Sequence, residues 1–115
     1  MIKRTESSAE ADRDDRVFKA LAGTDRRRIL DLLKDGPRTT GDICGELPWL
    51  NRCTVMQHLG VLETAELVIT KKRGRSRWNY LDVAPIQRIH DRWIGTYASP
   101  SAALLGRLKQ DLESD

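Results

Sequence analysis

The sequence predicts a mostly helical α+β domain with one β-hairpin. Apolar residues recur at helical spacing on both sides of residues 67–81, whereas that segment is rich in strand-forming residues around Gly74. Helix stops such as Gly36-Pro37 separate the helical segments. Because 115 residues suit one domain, we expect a single folded unit over residues 13–115.

Charge in this chain is concentrated rather than large. The net charge of +3 is too small to indicate nucleic-acid binding by itself. The predicted hairpin carries five cations and no acid within seven residues: Lys71, Lys72, Arg73, Arg75 and Arg77. Such a patch is typical of a surface that docks on a polyanion, although a solvated charged hairpin has the same composition.

The expected compartment is the cytoplasm. No apolar run approaches the roughly 20 residues of a membrane span, and the first residues lack the apolar core of a secretory signal. The two cysteines, Cys44 and Cys53, favour free thiols in a reducing compartment.

The N-terminal third begins with residues 1–12, which are polar and without pattern and therefore predict a flexible arm. A short helix with apolar Val17, Phe18 and Leu21 follows. The next helix is predicted to be capped by Thr24 or Asp25. Three arginines open that helix, and most of them are expected to be solvated: Arg26, Arg27 and Arg28.

Two short helices joined by a tight turn come next. Thr39 or Thr40 is the expected cap of the first, and Asn51 caps the second, after a turn at residues 48–50. The second helix has a buried seam of Val55, Leu59 and Leu62. Its opposite face is small, polar and free of acid: Cys53, Thr54, Gln57 and Gly60. This is the helix-turn-helix pattern, with the helix at 51–65 as the recognition helix.

The hairpin at 67–81 directly follows that helix, which makes it a wing. Its cationic tip around Gly74 has the composition needed to contact a DNA backbone or a minor groove. The predicted fold is therefore a winged helix-turn-helix with a two-stranded β-wing, and its DNA-binding core spans about residues 24–81.

The C-terminal residues, about 83–112, predict two further helices whose apolar faces exceed what a small core can cover. The first begins at Asp82 or Val83, and a break at Ser99-Pro100 separates it from the second. Uncovered apolar faces usually indicate a partner, and a two-fold homodimer is the simplest one. Trp49, Trp78 and Trp93 are interpreted as packing residues.

The sequence contains three runs, VFKALAGTDRRRILDLL, HLGVLETAELV and KKRGRSRWNYLD, in that order. They resemble the corresponding parts of the ArsR-type winged helix-turn-helix repressors over about residues 17–81, and more weakly beyond. The stretches TVMQHLGVLE and IHDRW resemble a branch often encoded beside small START-like ligand-binding proteins.

The resemblance implies a homodimer that binds a partly palindromic DNA operator, blocks transcription and is released by an inducer or a metal. The implied DNA contacts are Asn51, Arg52, Cys53, Thr54, Gln57, His58, Lys72, Arg73, Arg75 and Arg77. The apolar positions implied for dimerisation are Val17, Phe18, Leu21, Ile89, Trp93, Tyr97, Leu104, Leu105 and Leu108.

The chain departs from the family pattern at three places. Glu46 stands where metal-sensing members have the second cysteine after Cys44, and no second histidine follows His90. Glu66 replaces the glycine that ends the recognition helix, and would have to adopt its positive φ. No metal or cofactor is therefore expected.

Two other functions remain open on sequence grounds. One is a winged-helix module that binds an acidic protein through its hairpin. The other is a thiol or metal sensor that uses Cys44 and Cys53, since Cys53 lies beside Arg52 in a helix's first turn. No nucleophile elbow, glycine-rich phosphate loop or carboxylate pair supports an enzyme. The inducer, the operator and the regulated genes cannot be derived.

Overall fold

A computed structural model describes residues 2–97 and 100–114, with side chains described for 8–97 and 104–114. The chain forms two compact units, Met1–Pro85 and Ile86–Asp115. The elements, in order, are α1 (Ile2–Ala22), α2 (Thr24–Lys34), β1 (Arg38–Thr39), α3 (Thr40–Glu46), α4 (Arg52–Thr64), β2 (Val68–Arg73), β3 (Ser76–Leu81), α5 (Ala84–Ile89), a π-helical turn (His90–Ile94), α6 (Gly95–Tyr97) and α7 (Pro100–Glu113). Within the described part of the chain, no helix is long and apolar enough to cross a membrane.

Helix α1 begins at Ile2, so it occupies most of the segment for which the sequence predicts a flexible arm. The segment lacks an apolar stripe, which is why its pattern gave no helix signal. It also lacks Gly and Pro, and its Ala, Glu, Lys and Arg residues favour a helix. The C-terminal part of α1 enters the core, where Val17 and Ala20 are buried.

The start of α2 corrects the predicted cap. The N-cap is Gly23, which makes no side-chain hydrogen bond, and Thr24 and Asp25 both lie inside the helix. Because Gly23 has no side chain, it supplies no side-chain acceptor to the N–H groups of the first turn of α2.

Two arginines that were expected to be solvated join the start of α2 to the end of α1. Arg26 donates from Nε to the carbonyl of Ala20 (3.0 Å) and from Nη2 to that of Lys19 (2.9 Å). Arg27 donates from Nη1 to the carbonyl of Leu21 at 2.6 Å. The last carbonyls of a helix have no partner within it. Arg26 and Arg27 supply those partners and tie α1 to α2.

The sheet has three antiparallel strands in the order β1-β3-β2, one more than the predicted two-stranded wing. Strand β1 pairs Arg38 with Asn79 and Thr39 with Trp78. A two-residue strand is too short to show alternation, so no sequence pattern predicts it. The β2-β3 turn is as predicted, with Gly74 at φ 62°.

The first unit has one core, formed by side chains from α1 to α4 and from the start of β2: Val17, Ile29, Leu33, Ile43, Leu47, Val55, Leu59, Leu62, Leu67 and Val68. A buried amide extends it to the sheet. Asn79 Nδ2 donates to the carbonyl of Arg38 and to Thr40 Oγ1, both at 3.2 Å. These bonds hold β1 and the start of α3 against β3.

The second unit is helical, and most of its described apolar side chains are exposed. Helix α5 begins at Ala84, just before the boundary between the units, and the N–H of Ala84 donates to Asp82 Oδ1 at 3.0 Å. Asp82 therefore caps α5, which starts within two residues of the predicted position. Helix α7 begins at Pro100, and Ser99 lies outside the described residues.

Candidate nucleic-acid interface

The N-terminus of α4 is fixed by the cap that the sequence predicts. Asn51 Oδ1 accepts hydrogen bonds from the N–H and from the hydroxyl of Thr54, at 2.8 and 3.0 Å. One helix earlier, Thr39 and Asp42 form a reciprocal capping box at the start of α3. Both helices of the helix-turn-helix therefore begin at defined residues.

The two sides of α4 differ as predicted. Val55, Leu59 and Leu62 are buried, whereas the side chains of Arg52, Cys53 and Gln57 are exposed. A surface groove of about 500 Å³ runs along this exposed face. Its lining includes Arg77 from the wing together with four residues of α4: Arg52, Cys53, Met56 and Gln57. The tertiary structure thus places a wing cation beside the polar face of the helix.

A second groove, of about 510 Å³, continues along the wing. Its lining includes Lys72, Arg75 and Arg77, which we call the inner wing cations, together with Glu63 and Thr70. Arg77 borders both grooves. The exposed cations therefore form a continuous strip from Arg52 to Arg75.

The structure separates one predicted DNA contact from this strip. Arg73 lines a different groove, of about 250 Å³, together with Ile69, Lys71 and Tyr80. Successive residues of a strand point to opposite faces, so Arg73 and Lys71 lie on the outer face of β2 while Lys72 lies on the inner one. Spacing alone predicted one cationic cluster, whereas the sheet produces two.

A polar network joins the wing to the last turns of α4. The Thr70 hydroxyl donates to the carboxylate of Glu63 and lies 3.2 Å from Asn79 Oδ1. Asn79 is fully buried, and it also bonds to β1 and α3 as described above. The network fixes the wing relative to α4. Sequence reasoning missed it because its three residues lie on three different elements.

His58, another predicted DNA contact, faces the protein. Its side chain is half-buried, and its Nδ1 lies 3.4 Å from Nη1 of Arg26. Arg26 therefore contacts α4 as well as joining α1 to α2.

Helix α4 ends in a Schellman motif at Glu66. The N–H of Glu66 bonds to the carbonyl of Glu63, and the N–H of Leu67 bonds to that of Leu62. Glu66 has φ 63°, the only positive φ of a non-glycine residue in the described part of the chain. The sequence prediction that Glu66 occupies a glycine-type position is confirmed.

Comparisons with known proteins agree with this arrangement. A family model for bacterial regulatory proteins of the arsR family matches residues 24–70. The transcriptional repressor SdpR of Bacillus subtilis is 35% identical over 71 residues, which are 62% of this chain and 78% of that protein. The chain belongs to the ArsR family. It is a transcriptional regulator, and its family is one of regulators rather than enzymes.

Two further comparisons extend the likeness. The HTH-type transcriptional regulator Rv2034 of Mycobacterium tuberculosis is 43% identical over 68 residues, 59% of this chain. That match spans 63% of Rv2034, somewhat less than two thirds of its length. The homodimeric winged helix-turn-helix DNA-binding domain of Mb0332 from Mycobacterium bovis has a TM-score of 0.65 and 26% identity, covering 95% of this chain and 90% of the other. The predicted winged helix-turn-helix is therefore confirmed.

The thiols of this ArsR-family chain lie in different environments. Cys44 is half-buried and Cys53 is exposed, and both are free. Among the described side chains, no three His, Cys, Asp or Glu residues converge in a way that would hold a metal ion.

The positions expected to dimerise differ in accessibility within the single chain. Val17 and Ile89 are buried, and Leu21 is half-buried. The others are exposed: Phe18, Trp93, Tyr97, Leu104, Leu105 and Leu108. The exposed members are therefore the ones available to a second copy of this ArsR-family regulator.

Trp49, which the sequence analysis interprets as a packing residue, packs at the surface and not in the core. It is 57% exposed and lies on the turn between α3 and α4. Its Nε1 donates to Asp25 Oδ1 at 3.1 Å, and the guanidinium of Arg28 lies 5.2 Å from its ring centroid. The indole hydrogen bond, followed by the bond from Arg28, lowers the pKa of Asp25 below its usual value. This cluster joins the turn to α2.

Proposed function

We propose that this regulator is a homodimer that binds a partly palindromic operator in duplex DNA and represses transcription until an inducer releases it. One observation carries the proposal: the acid-free face of α4 borders the inner wing cations through Arg77. The same proposal places the protein in the cytoplasm, with the DNA it regulates.

Helix α4 would enter the major groove, where each base pair presents a distinct pattern of donors and acceptors. Gln57 is exposed in the middle of the helix and can pair with N6 and N7 of adenine. Arg52, in the first turn, can pair with O6 and N7 of guanine. Each such contact contributes about 1–3 kcal/mol of discrimination.

The inner wing cations would contact phosphates on the flank of the same half-site. Contacts to phosphate carry no sequence information, but they release counterions and make binding depend on salt. Because Arg73 lies on the outer face of β2, we expect it to contribute less than Arg75, although both flank Gly74.

Dimerisation is supported by the exposed apolar side chains of α1, α6, α7 and the π-helical turn. The relative Mb0332 is homodimeric by its name, and SdpR is named a repressor. Two-fold symmetric readers place their recognition helices about 34 Å apart, one turn of B-form DNA. The operator of this protein should then contain two inverted half-sites.

The test begins with the selection of bound duplexes from a random pool, which should yield a two-fold symmetric consensus. Binding of Gln57→Ala, Arg75→Ala and Arg73→Ala is then measured over a range of salt concentrations. We expect Gln57→Ala to relax sequence preference. Arg75→Ala should weaken binding to all duplexes and lower the slope of log K against log salt by about one unit.

Arg73→Ala is the matched control, because it removes the same charge from the other face of the wing. Equal losses of salt slope in Arg73→Ala and Arg75→Ala would contradict the assignment of the inner face. The absence of any duplex binding at moderate salt would refute the proposed function. It would favour a module that docks on an acidic protein.

A further inference from the structure

A third groove, of about 590 Å³, lies between α1 and α4. Two residues of α1 and four of α4 line it: Arg16, Lys19, Gln57, Gly60, Val61 and Thr64. All of these residues belong to the first compact unit. We call it the α1–α4 groove.

The α1 side of the groove is cationic. Arg16 and Lys19 are exposed and lie three residues apart, so they occupy the same side of the helix. In the described part of the chain, neither side chain has an ion-pair partner within 4.0 Å. Asp12 and Asp15, which lie one turn earlier on α1, are therefore not ion-paired with Arg16 or Lys19. No lining residue of the groove is an acid. Two neighbouring like charges are unfavourable on a helix unless an anion lies between them.

The α4 side is mostly apolar. Gly60 contributes no side chain, and Val61 contributes an aliphatic one. The hydroxyl of Thr64 donates to the carbonyl of Gly60 at 2.9 Å, so that group is already engaged within the helix. Gln57 is therefore the polar side chain of this wall that can bond to an occupant.

From these features we propose that the α1–α4 groove binds a small amphipathic organic anion, a carboxylate on an aromatic or short aliphatic body. The carboxylate would lie against Arg16 and Lys19, and the apolar body would cover Gly60 and Val61. The volume is within the range of about 300–1,000 Å³ that small-molecule sites occupy. A bare inorganic anion would leave the apolar wall uncovered.

Occupancy of this groove has a consequence that rests on the proposed DNA-binding function. Gln57 borders both the α1–α4 groove and the groove that contains Arg52 and Arg77. An anion bonded to Gln57 would hold its amide away from a base, and would add negative charge where DNA approaches. The ligand and the operator therefore exclude each other, which makes the anion an inducer.

Binding is tested first without DNA. The probe is 1-naphthoate, its neutral counterpart is 1-naphthylmethanol, and affinities are measured by calorimetry with the full-length chain. We expect naphthoate to bind at least tenfold more tightly than the alcohol. Arg16→Gln/Lys19→Gln should abolish that preference. Lys34→Gln/Arg107→Gln removes the same charge outside the groove and should retain it. Equal binding of acid and alcohol, or no binding of either, overturns the proposal.

A second variant fills the groove without changing charge. A Cβ atom added at Gly60 meets no heavy atom within 4 Å, so Gly60→Leu should fold and occupy the groove. We expect it to reduce naphthoate affinity at least tenfold. Gly45→Leu, where an added Cβ also meets nothing within 4 Å, is the control and should bind as the parent does. Unchanged affinity in a folded Gly60→Leu variant would place the ligand elsewhere and refute the site.

The final measurement is competition at fixed ionic strength, with sodium chloride replaced by sodium naphthoate. At a probe concentration of ten times its Kd, mutually exclusive binding lowers operator affinity about elevenfold. Binding of naphthoate by a protein that binds no duplex would support the site and refute the DNA-binding function. If Arg16→Gln/Lys19→Gln weakens DNA binding with a lower salt slope and no form binds naphthoate, these cations serve the DNA backbone and the ligand proposal fails.

Discussion

The two compact units of this chain differ in what they do with their apolar side chains. In Met1–Pro85, residues such as Val55, Leu62 and Leu67 are completely buried. In Ile86–Asp115, seven large apolar side chains are 46–70% exposed: Trp93, Ile94, Tyr97, Leu104, Leu105, Leu108 and Leu112. Among the described side chains of the first unit, the exposed large apolar residues are Phe18, Trp49, Ile69 and Val83, and its core is buried within one chain. The second unit instead presents most of its described large apolar side chains to solvent.

We infer that the first unit specifies the fold of one chain, and that the second takes part in the proposed homodimer. An exposed apolar surface of this extent is uncommon in a monomer and usually marks an interface. We therefore expect the first unit to respond to substitutions through the stability of one chain. The second unit should respond through association.

The largest effect should come from charges placed on α7. Leu104→Lys/Leu108→Lys would desolvate lysines in the dimer interface, while costing little in a protomer where both leucines are exposed. We expect a monomer at micromolar concentration in analytical ultracentrifugation. Without the second half-site contact, operator affinity should fall by about a hundredfold or more.

The matched control for that experiment is Gln110→Lys/Ser114→Lys, which adds the same charge at polar positions of the same C-terminal segment. It should remain dimeric. A dimeric Leu104→Lys/Leu108→Lys variant would show that α7 is not part of the interface, and would remove the contrast drawn between the units.

The next largest effect is on the free energy of unfolding, and one leucine from each unit is substituted to compare the two. Leu62 is fully buried in α4, so Leu62→Ala should lower the free energy of unfolding by about 2–5 kcal/mol at every protein concentration. Leu105 is 58% exposed in the single chain. Leu105→Ala should therefore lower the free energy of unfolding more at high protein concentration, where the dimer forms, than at low concentration. Urea unfolding at two protein concentrations distinguishes the two responses. A concentration-independent loss in Leu105→Ala would contradict the assignment of Leu105 to an interface.

A smaller and opposite effect is expected at Glu66. Its φ of 63° is unfavourable for a side chain with a Cβ, and glycine removes that strain. Glu66→Gly should raise the free energy of unfolding by about 0.5–1 kcal/mol, because the greater freedom of glycine in the unfolded chain offsets part of the gain. The ion pair with Arg13, 3.6 Å long and exposed at both ends, contributes little.

The comparison variant at that site is Glu66→Ala, which removes the ion pair but retains the Cβ. Thermal unfolding should give a higher Tm for Glu66→Gly than for Glu66→Ala. The reverse order would indicate that the Arg13 contact, rather than the backbone, determines stability at this position.

The smallest effect concerns pH and Asp25. The indole of Trp49 and the guanidinium of Arg28 lower the pKa of Asp25 below its usual value of 3.8. A lowered pKa in the folded state adds stability that is present above pH 3.8 and is lost as the pH falls through the folded pKa. Trp49→Phe should raise the pKa of Asp25, as followed by carboxyl NMR shifts. An unchanged pKa would show that Arg28 alone sets it.

Local patterns predicted α4 and its surroundings well. The cap at Asn51, the seam of Val55, Leu59 and Leu62, and the turn at Gly74 each depend on residues close in sequence, and each is confirmed. The positive φ of Glu66 agrees with the family resemblance, which implied that Glu66 replaces the glycine at the end of the recognition helix. Such features follow from periodicity and dihedral limits.

Local patterns failed where the deciding contact is distant. Thr24 and Asp25 were predicted caps, but Gly23 holds that position and arginines of α2 reach back to the carbonyls of α1. Trp49 was assigned to packing, whereas it lies on the surface and donates a hydrogen bond to Asp25, 24 residues away in the chain. In the second unit, residues His90–Ile94 form a π-helical turn, which a regular helical period cannot predict.

The sequence by itself determined the helix-turn-helix, the wing and the presence of a cationic hairpin. Each is encoded by residues within about one or two turns of a helix, or across one tight turn. The tertiary structure decided which cations lie together. Strand alternation places Arg73 on the outer face of the wing, whereas packing of the wing against α4 places Arg77 in the same groove as Arg52. The tertiary structure also created the α1–α4 groove, since a cavity depends on how two distant helices pack and not on either helix alone.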